Sequence, residues 1–139
     1  MGVRVRIRII HGDKTAITSA LVNSGFESNE PDICIPLGLA KRLKLWPSTV
    51  MKSINALTAG GEVALHLLGK VRLQLLAGSE VKEDIECNAL LNTQVDEVLL
   101  SDYVIDELGI VVISFRKGLW RHKSDPPSTI RQSAPPEYW

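Results

Sequence analysis

The chain has 139 residues, 45% of them hydrophobic and 23% charged, which is typical of one folded domain and excludes wholesale disorder. Lys and Arg number 16 and Asp and Glu number 16, so a net charge of zero provides no overall field to attract nucleic acid or anionic lipid. No apolar run approaches the roughly 18–20 residues that a membrane helix needs. We therefore expect a cytoplasmic protein with no membrane or nucleic-acid partner.

The cysteines and histidines do not form a metal-binding pattern. Cys34 and Cys87 lack the CxxC spacing of a zinc site, and His11, His66 and His122 are scattered. We expect no metal and no cofactor. Free cysteine is usually buried, and a disulfide would require neighbouring strands of suitable geometry, so the pairing of the two thiols stays open.

The first predicted elements form a hairpin. Residues 3–9 alternate branched apolar residues with Arg4, Arg6 and Arg8, which predicts a strand with one apolar and one cationic face. A turn and a second strand at 15–22 follow. The arginine stripe is interpreted as the solvated face of an antiparallel sheet, with phosphate contact as the alternative.

The rest of the body is predicted to consist of short strands with two brief helices. This pattern indicates a mainly β, closed sheet with one or two short helices. Ser101 or Asp102 is a candidate cap for the second helix, and Gly109 a candidate C-terminal glycine. In chain order we predict strands at 33–35, 50–58, 62–68, 70–76, 85–91, 98–100 and 110–113, and helices at 36–45 and 103–108.

The composition changes near the C-terminus. Residues 1–116 are predicted to form the domain, and 117–139 a Pro-rich tail that holds four of the seven prolines. Trp120, Tyr138 and Trp139 are candidate anchors for the tail. They would dock it on the body or on a second subunit.

Four segments together resemble one family. Residues 20–25, Ala-Leu-Val-Asn-Ser-Gly, resemble the active-site turn of retropepsin-like aspartic peptidases, an apolar strand followed by Asp-Ser/Thr-Gly. Residues 36–45 resemble the helix that follows in the cellular and prokaryotic branch, and 58–63 resemble the flap hairpin. Residues 98–110 resemble the apolar-apolar-Gly segment and closing helix. The order matches the family's, over roughly residues 3–113.

The resemblance implies a retropepsin-like barrel that works as a homodimer. Two copies would each supply one Asp to a shared dyad that activates water. This chain has Asn23 at that position and Ser101 where Gly is usual. A carboxamide offers no proton-accepting anion, so we expect an enzyme that is catalytically impaired as written. Whether Asn23 is natural or engineered stays open.

The resemblance also implies the residues of the site. Asn23, Ser24 and Gly25 occupy the catalytic turn, and the flap would cover an extended peptide. Beside the turn lie Glu27, Glu30 and Asp32. They are interpreted as an acidic surface loop, with binding of a basic substrate residue as the alternative. The substrate-binding positions would be Phe26, Glu27, Thr58, Ala59, Gly60, Gly61 and Leu100.

Three functions are consistent with these patterns. The first is an aspartic endopeptidase scaffold that binds extended peptide in a cleft at a homodimer axis. The second is a non-catalytic dimerising or peptide-binding module of the same fold, which Asn23 favours. The third is a nucleic-acid binder that uses the arginine stripe, which the zero net charge disfavours.

Overall fold

A computed structural model describes residues 2–47, 52–58 and 61–139. Within those ranges the chain forms ten strands and two short helices, as predicted for a mainly β protein. The strands are β1 (Arg4–His11), β2 (Lys14–Val22), β3 (Asp32–Ile35), β4 (Lys52–Thr58), β5 (Gly61–Ala77), β6 (Glu80–Leu91), β7 (Val98–Leu100), β8 (Ile110–Ser114), β9 (Leu119–His122) and β10 (Arg131–Gln132). The helices are α1 (Leu37–Arg42) and α2 (Asp102–Glu107).

Six of the described strands close into a barrel. Their order is β1-β2-β7-β3-β6-β5, and β5 pairs with β1 to complete the ring. The closing pair is antiparallel, with Ile7 opposite Leu75 and Ile9 opposite Leu73. Strand β4 lies outside the ring and pairs with the first part of β5. The predicted closed β-sheet is therefore confirmed.

The alternation in β1 produces the two faces expected from the sequence. Val5, Ile7 and Ile9 are at most 1% exposed and belong to the main apolar core. The arginines between them point to the other face, where Arg4 pairs with Glu97 through two hydrogen bonds of 2.8 and 3.0 Å. Burial of the branched aliphatic side chains drives this arrangement, because side chains alternate across a strand.

Strand β5 differs from the prediction. The sequence suggested separate strands at 62–68 and 70–76, whereas the structure has one strand of 17 residues. The register against β6 shifts between Leu67 and Gly69. Gly69 adopts φ 151°, a backbone conformation that residues with a side chain rarely adopt. Glycine at this position therefore lets the strand continue through the irregularity.

Helix α1 is shorter than the predicted 36–45 because a Schellman motif ends it early. Lys44 adopts the left-handed conformation at φ 59°, and its N–H donates to the Lys41 carbonyl. The Leu45 N–H donates to the Ala40 carbonyl at 2.9 Å. Leu45 thereby returns to the core, where it is 4% exposed. In the described part of the chain, neither helix has the length or apolarity to cross a membrane.

The C-terminal segment contains structure that the sequence did not reveal. Strands β9 and β10 lie within the predicted tail and form a three-stranded sheet with β8. The sheet joins the barrel at β1, since the Ala134 N–H donates to the Arg4 carbonyl at 2.8 Å. The Arg4 N–H in turn donates to the Ser133 hydroxyl at 2.8 Å.

The last residue also contacts the body of its own chain. The Trp139 indole Nε1–H donates to the Thr18 hydroxyl at 3.0 Å, and its backbone N–H donates to the Asp96 carbonyl at 2.8 Å. Arg42 lies 5.6 Å from the centre of the indole ring, within cation–π range. A side chain on Gly38 would come within 3.2 Å of the Trp139 backbone, so this close approach depends on glycine.

We predict that Trp139→Ala destabilises the protein by about 2 kcal/mol, less than the roughly 3–5 kcal/mol of a fully buried aromatic residue. The neighbouring Tyr138 is 61% exposed and provides the control. Tyr138→Ala should change stability by less than about 0.5 kcal/mol. Urea unfolding of both variants measures the difference, and equal effects would contradict the assigned anchor.

A buried carboxylate holds the small sheet together. Asp125 is 9% exposed and accepts two hydrogen bonds from Arg131 at 2.7 and 2.9 Å. It also accepts from the His122 backbone N–H at 2.9 Å and lies 3.3 Å from Lys82 Nζ. The hydrogen bonds from Arg131, with smaller contributions from His122 and Lys82, hold the pKa of Asp125 well below its usual value.

We predict an acid-dependent contribution from Asp125. Because its native pKa is depressed, the stabilisation is complete above the unfolded pKa of about 3.9 and is lost as pH falls towards the native value. Asp125→Asn should therefore be clearly less stable than the wild type at about pH 6, and this gap should narrow towards about pH 2. Asp13→Asn, in the exposed β1–β2 turn, is the control. Urea unfolding across this range tests the trend, and a gap independent of pH would contradict it.

Candidate functional site

The candidate site begins where β2 ends. Strand β7 lies between β2 and β3, parallel to β2 and antiparallel to β3. Leu100 is opposite both Val22 and Ile33 in these pairings. The Asn23 turn and Ser101, which directly follow the paired strands, are therefore brought to the same end of the barrel.

The Asn23 side chain is engaged in its own turn. Its carboxamide Oδ1 accepts a hydrogen bond from the Gly25 N–H at 3.1 Å, and its backbone carbonyl accepts from the Phe26 N–H at 3.1 Å. This is an Asx turn, which Asn and Asp both form readily. Asn23 and Gly25 are half-buried, whereas Ser24 is exposed. An aspartate could accept the same bond from Gly25.

The loop that follows is tied to the start of α2. The Asp102 carboxylate accepts from the backbone N–H groups of Ser28 at 2.9 Å and Tyr103 at 2.8 Å. The Asp102 N–H donates to the Phe26 carbonyl at 2.9 Å. Of the two predicted candidates, Ser101 caps the helix, because its hydroxyl accepts from the Val104 N–H at 3.3 Å. The bracing role of Asp102 was missed, although its position at a predicted helix start was a usable signal.

Asp32 does not belong to an acidic surface, as the sequence had suggested. It is 5% exposed, and its carboxylate accepts from the Ser28 hydroxyl at 2.6 Å and the Asn88 amide at 2.8 Å. Glu27 and Glu30 are exposed, as expected. The buried carboxylate joins the loop to β6, since a buried charge requires hydrogen-bond partners.

Two predicted substrate-binding residues lie inside the single chain. Phe26 is 1% exposed and packs with Cys34, Leu65 and Leu90 in a small apolar cluster. Leu100 is fully buried. Phe26 thereby packs the loop against Leu65 of β5. The next residue, Glu27, is exposed.

The predicted flap corresponds to the β4–β5 hairpin. Thr58 at the end of β4 is opposite Gly61 at the start of β5. Ala59 and Gly60, predicted to form the tip, lie outside the described residues. Leu65 joins this hairpin to the cluster around Phe26.

The arrangement brings together a polar turn, a buried carboxylate and a helix start. Asn23 and Ser24 can donate and accept hydrogen bonds, but neither carries a charge. Among the described residues, no group of three or more His, Cys, Asp or Glu side chains could hold a metal ion. The site as placed is suited to binding polar groups.

Comparison with known proteins adds no family assignment. No protein-family model matches the chain. No curated protein matches it either.

Both cysteines are free and buried. Burial, followed by the charge of Asp32, raises the pKa of Cys34 to about 12. Burial also raises the pKa of Cys87 to about 12. Because both thiols are free, the pairing left open by the sequence is absent from this structure; Cys34 is opposite Leu90 and Leu99, and Cys87 is opposite Val71.

We predict that the native thiols resist an aromatic disulfide reagent at about pH 8, because the reactive thiolate is both scarce and inaccessible. Unfolding in urea should release two reactive thiols per chain. The reaction is monitored by absorbance. If the native protein reacts, at least one cysteine is exposed. Fewer than two thiols after unfolding would instead reveal a disulfide.

Proposed function

We propose that this chain is half of a retropepsin-like peptide-binding site, which two copies complete, and that Asn23 makes it poorly hydrolytic. The observation that carries the proposal is the placement of β7 between β2 and β3. It brings the Asn23 turn to the same end of the barrel as Ser101. The sequence resemblance assigns the same two segments to the catalytic turn and the closing segment.

The chemistry of position 23 argues against efficient hydrolysis. An aspartic dyad shares one proton between two carboxylates, so that one accepts a proton from water while the other donates one. Asn23 can do neither, since its carboxamide does not titrate near neutral pH. Loss of general acid–base catalysis alone costs about 10²–10⁴-fold in rate.

Peptide binding does not require that chemistry. An extended peptide binds through main-chain hydrogen bonds to a strand edge or hairpin, with side-chain pockets providing specificity. Strand β4 is the last strand in the sheet order, and its hairpin with β5 is the proposed lid. The exposed Ser24 is the proposed contact across the dimer axis, where a hydroxyl could bond to its copy.

The alternative is a non-catalytic dimerising or peptide-binding module of the same fold. The engagement of Asn23 Oδ1 in the turn favours it, because the carboxamide has a structural role without catalysis. The two proposals share a dimer and a peptide. They differ in whether the rest of the site supports hydrolysis once the carboxylate is restored.

Asn23→Asp provides that test. The substitution is nearly isosteric and preserves the acceptor for Gly25, so the variant should fold. We expect the variant to cleave a peptide library at acidic pH about 100-fold faster than the wild type, or more. A statine-type compound should inhibit this cleavage. Mass spectrometry of the products measures the cleavage.

Asn29→Asp is the matched control, since it adds the same charge to an exposed position in the same loop. It should leave the wild-type activity unchanged. A folded, dimeric Asn23→Asp protein that cleaves nothing would support the non-catalytic module. Sedimentation that shows a monomer at high concentration would contradict both proposals.

A further inference from the structure

A pocket of about 560 Å³ lies between β1, the β5–β6 turn and the β9–β10 segment. Its walls include the guanidinium-bearing residues Arg4, Arg6 and Arg131, together with Trp120. None of the lining residues belongs to the turn at 23–27 or to the segments 52–58 and 61–67 that pair in the β4–β5 hairpin; Leu76 and Ala77 lie at the other end of β5. The pocket is therefore separate from the candidate functional site.

The lining includes three arginines and no Asp or Glu, although each arginine pairs with a carboxylate outside the lining. A guanidinium has five N–H donors. Arg4 uses two on Glu97, Arg131 uses two on Asp125, and Arg6 uses one on Glu137. These carboxylates hold the guanidinium groups in place and leave several N–H donors for another acceptor.

Trp120 is a buried wall residue of the pocket, and its indole nitrogen is enclosed by protein. Trp120 is 4% exposed, and its indole Nε1–H has no hydrogen-bond partner among the described residues. A buried donor without an acceptor is costly, and such groups are rare in native proteins. Arg131 lies 5.8 Å from the centre of the indole ring, so a cation is already adjacent.

The remaining walls are mixed, with Gln132 beside several apolar residues. Leu76, Ala77 and Ala134 line the pocket, and Ile130 is 60% exposed at its wall. The volume lies within the range of roughly 300–1,000 Å³ that is typical of small-molecule sites. Such sites combine apolar walls with a few polar groups that orient the ligand. This lining therefore suits a ligand with both an anionic group and an apolar body.

We propose that the pocket binds a small organic oxyanion, a carboxylate or phosphate attached to an apolar body. The oxyanion accepts hydrogen bonds from the free guanidinium donors, in the planar geometry that arginine provides. The side chain of Trp120 forms part of the wall beside Arg131. The apolar body of the ligand contacts Leu76 and Ile130.

Nuclear magnetic resonance of the ¹⁵N-labelled protein tests the proposal. The three tryptophans give three indole signals, which Trp46→Phe and Trp139→Phe assign by removal. The probes are phenyl phosphate and phenylacetate, which distinguish the two oxyanions, with benzyl alcohol as the neutral control. Either anion should shift the Trp120 indole signal in a saturable way, whereas benzyl alcohol should not.

Two arginines of the same stripe provide a matched pair of variants. Arg6 lines the pocket, whereas Arg8, two residues along β1, does not and instead donates to Gln74 at 2.7 Å. Arg6→Gln should weaken binding of the better probe about tenfold, as expected for one lost hydrogen bond to a charged group. Arg8→Gln should leave the dissociation constant unchanged. Dispersed amide spectra establish that both variants are folded.

A third variant should strengthen binding of the probe instead of weakening it. Glu137→Gln removes the carboxylate that pairs with Arg6 at 3.0 Å. Because the pair is exposed, we expect binding to strengthen by a modest factor, about threefold. Weaker binding in this variant would contradict the proposed role of Arg6.

Three results would overturn the proposal. One is the absence of a saturable shift at Trp120 with either anion. Another is an equal loss of affinity in Arg6→Gln and Arg8→Gln, which would indicate general charge attraction. The third is inorganic phosphate or acetate binding as tightly as the aromatic probes, because the apolar walls would then contribute nothing.

Discussion

Closure of the barrel depends on β5. This strand of 17 residues pairs with β4 through its first part, with β1 through its last part and with β6 along most of its length. Its pairing with β1 turns an open sheet into a ring, which removes two exposed edges. The ring also positions the apolar faces of both strands, with Ile7, Leu73 and Leu75 fully buried. The other elements pack against or extend this framework.

The candidate site depends on the position of β7 between β2 and β3 in that ring. The three residues of β7 separate β2 from β3, and the loop between them is held by Asp32 and Asp102. This fixes the backbone around Asn23 without any charge at that position. A rigid turn with polar but uncharged side chains is suited to binding, since proton transfer requires a group that titrates. The proposed function therefore separates a peptide-binding geometry from the chemistry that would cleave the peptide.

Of the three guanidinium–carboxylate pairs whose arginines line the pocket, one connects the C-terminal segment to the barrel. Arg4 pairs with Glu97 before β7, Arg6 with Glu137 in the tail, and Arg131 with Asp125 in the small sheet. These contacts convert the arginine stripe of β1 from a solvated face into a partly covered one. They also create the proposed oxyanion pocket, because the tail forms one wall and β1 forms another. Arg6 thus both pairs with the tail and lines the cavity.

Local patterns were enough to predict the two faces of β1, the start of α2 at Ser101 or Asp102, and the turn at Asn23. These features depend on side-chain periodicity and on hydrogen bonds between residues that are close in the chain. The sequence also indicated a closed β-sheet, through the number of short apolar strands. Only the tertiary structure decided that β5 is continuous, that Asp32 is buried and that β9 and β10 form in the tail. The burial of Asp32 depends on Asn88, and the attachment of the tail depends on the bond between Arg4 and Ala134; no local pattern specifies these distant partners. Strand β9 itself pairs with the neighbouring strand β8.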